Sequence, residues 1–202
     1  MKYVVLRATF LGIFMLAALN VWAANIAEAQ DLIEKTTDKV LDTLKNDSSQ
    51  VYNLVDKLVL PHFDFTRMSR LVLGKNWKKA KKSQKRRFTK AFRGLLVRTY
   101  SSALLKATEN VRKITYVTTK PKGTEKAKVS AKVHQTGGKI LKVDYAMRFK
   151  KSKWKVYNIT VAGVSLVRNY RSEFAQDFQT IGMEKLINKI EKRAPKEVNF
   201  NK

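Results

Sequence analysis

Ala127-Lys128-Val129-Ser130-Ala131-Lys132-Val133-His134 leads across Gly137-Gly138 into Leu141-Lys142-Val143-Asp144-Tyr145-Ala146-Met147-Arg148-Phe149. In the first run each apolar residue is followed by a polar one. In the second, Leu141, Val143, Tyr145, Met147 and Phe149 are separated by Lys142, Asp144 and Arg148. Side chains on a strand point to opposite faces with a period of two, so both runs read as half-buried antiparallel strands. Gly137-Gly138 joins them as a tight hairpin, and Lys151 to Lys153 form a second turn into Trp154 to Val161. With Val111 to Thr119 the sheet has about four strands.

On either side the period lengthens to that of a helix. Ile26, Ala29, Ile33, Val40, Leu41 and Leu44 predict an amphipathic first helix, with Glu28 and Asp31 at its start and Lys45 at its end. Ser48 or Ser49 caps a second helix through Val51, Leu54, Val55 and Leu58, which Pro61 stops. Asp64 or Thr66 opens a short third helix closed by Gly74. The longest helix starts after Ser83, where Phe88, Phe92, Leu95, Leu96, Thr99, Tyr100, Ala103, Leu104 and Ala107 share one face and Lys and Arg occupy the other. After Gly163, Val164, Val167, Tyr170, Phe174 and Phe178 step by three and four, and after Gly182 a shorter helix runs from Met183 to Arg193. Helices, a run of strands, then helices again make an α+β domain, with helices packed on one face of a curved sheet.

The N-terminus has a different logic. Lys2 and Arg7 precede the apolar run Ala8 to Leu19, and Val21-Trp22-Ala23 supplies a small-residue cleavage site, so residues 1–23 read as a secretory signal peptide. The apolar core is too short to span a bilayer, which takes ~20 residues. Residues 24–202 form one exported domain. The chain has no cysteine, so the fold rests on apolar burial without disulfides, and thiol catalysis and thiolate metal sites are excluded. Forty-two Lys and Arg against 16 Asp and Glu give a net charge of +26, which points to polyanionic surroundings such as anionic lipid headgroups, lipopolysaccharide or acidic protein faces. Export argues against nucleic acid.

Catalysis has no visible seat. His62 and His134 are the only histidines, too few for a metal site. Gly163-Val164-Ser165-Leu166-Val167 lacks the final glycine of a nucleophile elbow, and Ser165 reads better as a helix N-cap. No phosphate-binding loop, dinucleotide fingerprint or paired carboxylates occur, so neither enzyme activity nor cofactor is expected. Lys75 to Arg93 is densely basic with no acidic residue. Lys78, Lys79, Lys82, Arg86 and Arg87 are its candidates for docking on a membrane surface or a partner.

Several stretches together resemble one family. Leu60-Pro61-His62-Phe63-Asp64-Phe65-Thr66-Arg67-Met68-Ser69-Arg70, Leu73-Gly74-Lys75-Asn76-Trp77, Gln84-Lys85-Arg86-Arg87-Phe88 and Leu95-Leu96-Val97-Arg98-Thr99-Tyr100 are similar to the N-terminal half of the MlaC (toluene-tolerance auxiliary, Ttg) family of periplasmic phospholipid-binding proteins. Trp154-Lys155-Val156-Tyr157-Asn158 and Gly163-Val164-Ser165-Leu166-Val167-Arg168-Asn169-Tyr170-Arg171-Ser172-Glu173-Phe174 resemble its later signature. The resemblance implies a helix-rich NTF2-like fold whose curved sheet encloses an apolar pocket. It also implies a periplasmic phospholipid carrier that helps maintain outer-membrane lipid asymmetry, working between an outer-membrane lipoprotein complex and an inner-membrane ABC transporter. The resemblance leads to the expectation of acidic residues at the positions of Asn158 and Ala162, where this sequence departs from the family pattern. On this reading Phe92, Leu96, Tyr100, Leu104, Tyr145, Met147, Val164, Val167 and Tyr170 line the lipid pocket. The alternative is a basic envelope protein that binds lipopolysaccharide or nucleic acid through its Lys/Arg face.

Overall fold

The computed structural model describes residues 25–47, 49, 51–121 and 125–193. The signal peptide expected at 1–23 and the cap expected at Ser48 lie outside the described residues. Helix α1 (Ile26–Asn46) begins where the Asn25 side chain accepts a hydrogen bond from the Ala27 N–H, and it buries Ala29, Ile33, Val40 and Leu44 as its period requires.

The second helix departs from expectation. Helix α2 (Val51–Leu54) runs at once into a π-helical turn over Val55–Val59 and a 3-10 turn over Leu60–His62. The Leu60 N–H reaches back to the Val55 carbonyl, and Pro61, which follows, has no N–H to continue any ladder. Pro61 therefore ends the helix as predicted, with the turn before it widened. Helix α3 (Phe65–Leu73) starts at Asp64, whose Oδ1 accepts the Arg67 N–H at 2.9 Å, and closes at Gly74. A short α4 (Asn76–Lys79), unforeseen in the basic segment, precedes the long α5 (Lys82–Glu109).

Five antiparallel strands follow in sequential order: β1 (Val111–Thr119), β2 (Lys126–Gln135), β3 (Ile140–Lys150), β4 (Lys153–Val161) and β5 (Val164–Ser165). The fifth is a two-residue strand placed where the sequence reads as helix. The β2–β3 register sets Ala127 opposite Met147, Val129 opposite Tyr145, Ala131 opposite Val143 and Val133 opposite Leu141, so the inward set of one strand meets the inward set of the next. On the outer face the Ser130 hydroxyl donates to Asp144 at 2.6 Å, and Lys128 lies 3.1 Å from the same carboxylate. Register shifts at Val111/Lys113 and Ala146/Met147 bend the sheet. The chain ends in α6 (Leu166–Lys192), broken at Gly182, whose φ of 74° and ψ of 175° separate a long and a short helical stretch.

These elements bury three apolar clusters. One joins α3, α5 and α6, where Phe92 sits edge-on to Tyr170 with ring centroids 5.3 Å apart and edge-on to Phe174 at 6.2 Å. A second packs α1 on the sheet through Ala29, Ile33, Met147 and Trp154. The third holds the end of α1 against Val51, Leu54, Val55 and Leu60. Asp64 ties the first two together. Its Oδ2 accepts from Arg148 on β3 at 2.9 Å and 2.7 Å, and its backbone N–H donates to the Val156 carbonyl on β4.

The β3–β4 turn yields a stability prediction. Lys151 and Ser152 are its two central residues and both have positive φ, 49° and 59°. The left-handed region costs a residue with a Cβ roughly 1–2 kcal/mol, and Asn-Gly is the favoured pair for a turn of this kind. The double substitution Lys151→Asn with Ser152→Gly is expected to raise the unfolding free energy by about 1 kcal/mol. Urea titration of both proteins checks this, and an unchanged midpoint contradicts it.

A hydrocarbon-lined cavity as the candidate functional site

Between α1, the π-helical turn, the second half of α5 and the inner face of the sheet lies an open-mouthed cavity of about 280 Å³. That volume stands near the lower end of ligand pockets, roughly 300–1,000 Å³. Among the described residues, no carboxylate, lysine or arginine lines it.

The wall is more apolar than its composition. Thr36, Ser101 and Thr108 all face the space, yet each spends its hydroxyl on its own helix. Thr36 donates to the Leu32 carbonyl at 2.6 Å, Ser101 to Val97 at 2.8 Å and Thr108 to Leu105 at 2.7 Å. What they turn to the cavity is methyl and methylene. His62, also in the wall, is kept toward its neutral form because burial, and then the nearby Lys155 ammonium, lowers its pKa. Burial raises the pKa of Tyr145, and Tyr116 adds to the effect; burial with Tyr170 alongside raises that of Tyr100. Every titratable group in the wall is therefore biased to its uncharged state, which suits an apolar ligand and no ionic one.

Of the positions expected to line a pocket, Leu96, Tyr100, Leu104 and Tyr145 do so. Phe92, one turn earlier on α5, is fully buried among Phe88, Tyr170 and Phe174, because α5 passes from the helical cluster into the cavity wall near Leu96. Tyr170 and Val167 belong to that same cluster. Met147 lies two residues beyond Tyr145 on β3, under Ala29 and Ile33 of α1. Val164 sits on β5 and is 58% exposed.

The wall contributed by α1 (Ile33, Thr36, Thr37, Val40) and by the π-helical turn (Val55, Val59) was not foreseen. Threonines interrupting an apolar helix face were the available signal. Among the basic candidates, Lys78, Lys79, Lys82 and Arg86 are exposed. Arg87 is engaged: it pairs with Glu184 and, at 2.7 Å, with Glu191, clamping α5 to the last stretch of α6. Trp77 is half-buried against the helical cluster, with the Lys85 ammonium 5.7 Å from its ring centre.

Ser165 is spent on structure. Its hydroxyl accepts the Arg168 N–H at 3.3 Å and donates to Asn158 Oδ1 at 3.1 Å, and that oxygen also takes the Val167 N–H at 3.1 Å. Asn158, at a position expected to be acidic in relatives, thus caps α6 as a carboxylate would, without the charge. Among the described residues, no three His, Cys, Asp or Glu are grouped to hold a metal ion, and no helix is long and apolar enough to cross a membrane.

The sequence profile described as "MlaC protein" matches residues 34–192. The chain belongs to the MlaC family. It is 27% identical over 176 residues to the toluene tolerance protein ttg2D of Pseudomonas putida, covering 83% of this chain and 81% of that one. It is 25% identical over 201 residues to the intermembrane phospholipid transport system binding protein MlaC of Haemophilus influenzae, covering 93% of each. Among solved structures, the phospholipid-binding protein from Ralstonia solanacearum in complex with a phospholipid superposes with a TM-score of 0.66 at 26% identity, over 81% of this chain and 99% of that one. The α+β, sheet-and-helix pocket architecture expected from the sequence is thus the architecture found, with five strands for four.

The neutral wall carries a pH prediction. A tyrosine whose folded pKa stands above the unfolded value of about 10 keeps its proton where the unfolded chain has lost it, so it adds stability below pH 10 that fades as pH rises beyond. Urea midpoints of the parent and of Tyr145→Phe should diverge above pH 10, with the parent falling faster; parallel curves contradict a raised Tyr145.

Proposed function

We propose that this MlaC-family chain is a phospholipid-binding transport protein without catalytic activity. It is exported by a signal at 1–23 to the periplasm and folds as one lipid-binding domain over the remainder. The observation that carries the reading is the cavity wall: apolar side chains, hydroxyls turned back on their helices and no charge among the lining residues. Family membership and the phospholipid held by the similar Ralstonia solanacearum protein support it.

The energetics favour a carrier. Two acyl chains carry roughly 30 methylenes at ~0.8 kcal/mol each, so more than about 20 kcal/mol of exposure must be shielded in transit. Release into water is negligible on the same arithmetic, so unloading takes place against an equivalent apolar site. We assign those sites to an outer-membrane lipoprotein complex and an inner-membrane ABC transporter, with ATP hydrolysed by the latter, and the cycle serves outer-membrane lipid asymmetry. Lys78, Lys79, Lys82 and Arg86, exposed and without carboxylate partners among the described residues, are the charges proposed to meet acidic faces of such partners.

Leu96→Trp tests the cavity. The indole, placed on a lining position, takes up space an acyl chain needs, and the variant is expected to bind at least tenfold less labelled phospholipid than the parent while keeping its helical circular dichroism. Undiminished binding by the variant contradicts this site.

A further inference from the structure

At one end of the sheet the apolar cavity wall continues onto the surface. Val161 lines the cavity, and its partner across the β4–β5 ladder is Val164, 58% exposed. Leu141 lines the cavity, and the residue before it, Ile140, turned to the opposite face by the two-residue period of the strand, is a second apolar tip at this end and is 57% exposed. The two strand ends are adjacent, since Val143 pairs with Val161 and the Ala162 N–H donates to the Lys142 carbonyl at 2.9 Å. Tyr52 and Val117 are the other large apolar side chains so exposed among the described residues, and neither neighbours a lining residue of this sheet end in the ladder.

Cations share this end of the sheet. Arg112, Lys113 and Lys139 flank it at the start of β1 and in the β2–β3 turn, and Arg168 follows in the first turn of α6. None of these four has a carboxylate partner among the described residues. Asp144, the acidic residue nearest in β3, is already held by Ser130 and Lys128, which leaves Glu109 at the end of α5 as the local counter-charge. Exposed aliphatic tips and unpaired cations at one sheet end match the chemistry of an anionic bilayer surface: the aliphatic tips enter the headgroup boundary and the cations meet lipid phosphates. The basic segment at α4 and the start of α5 differs, because it exposes no large apolar side chain.

We infer that the sheet end bearing Ile140 and Val164 is the surface by which this protein docks on an anionic phospholipid bilayer and exchanges cargo with it. The inference rests on the carrier reading and adds the place of contact. Cargo crosses there along the face of Val161 and Val164, which carries the cavity wall outward, while Ile140 anchors the other face of the same sheet end.

The test compares the mature protein with the double variant Ile140→Asp and Val164→Asp, and with Val117→Asp, equally exposed but farther along β1 from this sheet end. Two readouts are taken: the rate of uptake of labelled phospholipid from vesicles of phosphatidylglycerol and phosphatidylcholine, and the amount bound when the same lipid is delivered from detergent. The double variant is expected to take lipid from vesicles at least tenfold more slowly, with its detergent-delivered stoichiometry unchanged. Val117→Asp is expected to keep the parent rate. A double variant as fast as the parent overturns the inference. So does a parent that fills from detergent yet never from vesicles, which assigns the surface to a protein partner. A parent that binds lipid by neither route overturns the carrier reading itself.

Discussion

Val129 facing Tyr145, Ala131 facing Val143 and Val133 facing Leu141 make the inner face of a bent sheet apolar from one end to the other, and the rest of the structure depends on keeping water from that face without filling the space above it. Helices from both sides of the strand run do the covering. The first part of α1 lies directly on the sheet through Ala29 and Ile33, while its second part leaves to join α2 and the π-helical turn. The cavity is what remains where the helix departs. A core packed to ordinary density would be more stable by closing that space, so its persistence is a cost of function.

The helices are held apart as well as together. Asp64 is buried to 9% side-chain exposure, caps α3 and grips Arg148 of the sheet, so a single carboxylate sets how the helical cluster stands against the strands. Such a pair contributes more by fixing geometry than by net stabilisation, because desolvating both ions offsets much of their attraction. At the other end Arg87 joins α5 to the stretch of α6 after Gly182. Outside α1, other carboxylates are similarly engaged: Asp56 with Arg93, Glu173 with Arg193, Asp177 with Lys189. The surplus of cations is thus left facing solvent, available to anionic surfaces.

The strands, the long helix and its apolar face were legible in the sequence because their periods of two and about 3.6 run unbroken over many residues. The Gly182 break and the Ser165 cap were legible from single residues with one dominant conformational preference. The cavity was legible only in part. Periodicity gives the buried side of α5 but cannot say where along it close packing gives way to open space, so Phe92 and Leu96 look alike in sequence and differ in the fold. Nor does it show a hydroxyl turned back on its own helix, as at Thr36, which makes a polar residue serve as apolar wall. The two-residue β5 was too short to carry any pattern, which moved Val164 from the expected pocket to the surface.

An uncharged cavity in a strongly basic protein separates, on the proposed reading, two tasks: an interior to hold hydrocarbon and an exterior to meet anionic surfaces. The central claim is that the interior holds acyl chains, and the most direct measurement is the native mass of the mature protein purified without detergent, followed by mass spectrometry of its solvent extract. The account predicts a mass excess equal to phospholipid in whole-number stoichiometry, recovered in the extract. A protein at its bare polypeptide mass that also takes no phospholipid from vesicles or detergent would contradict it.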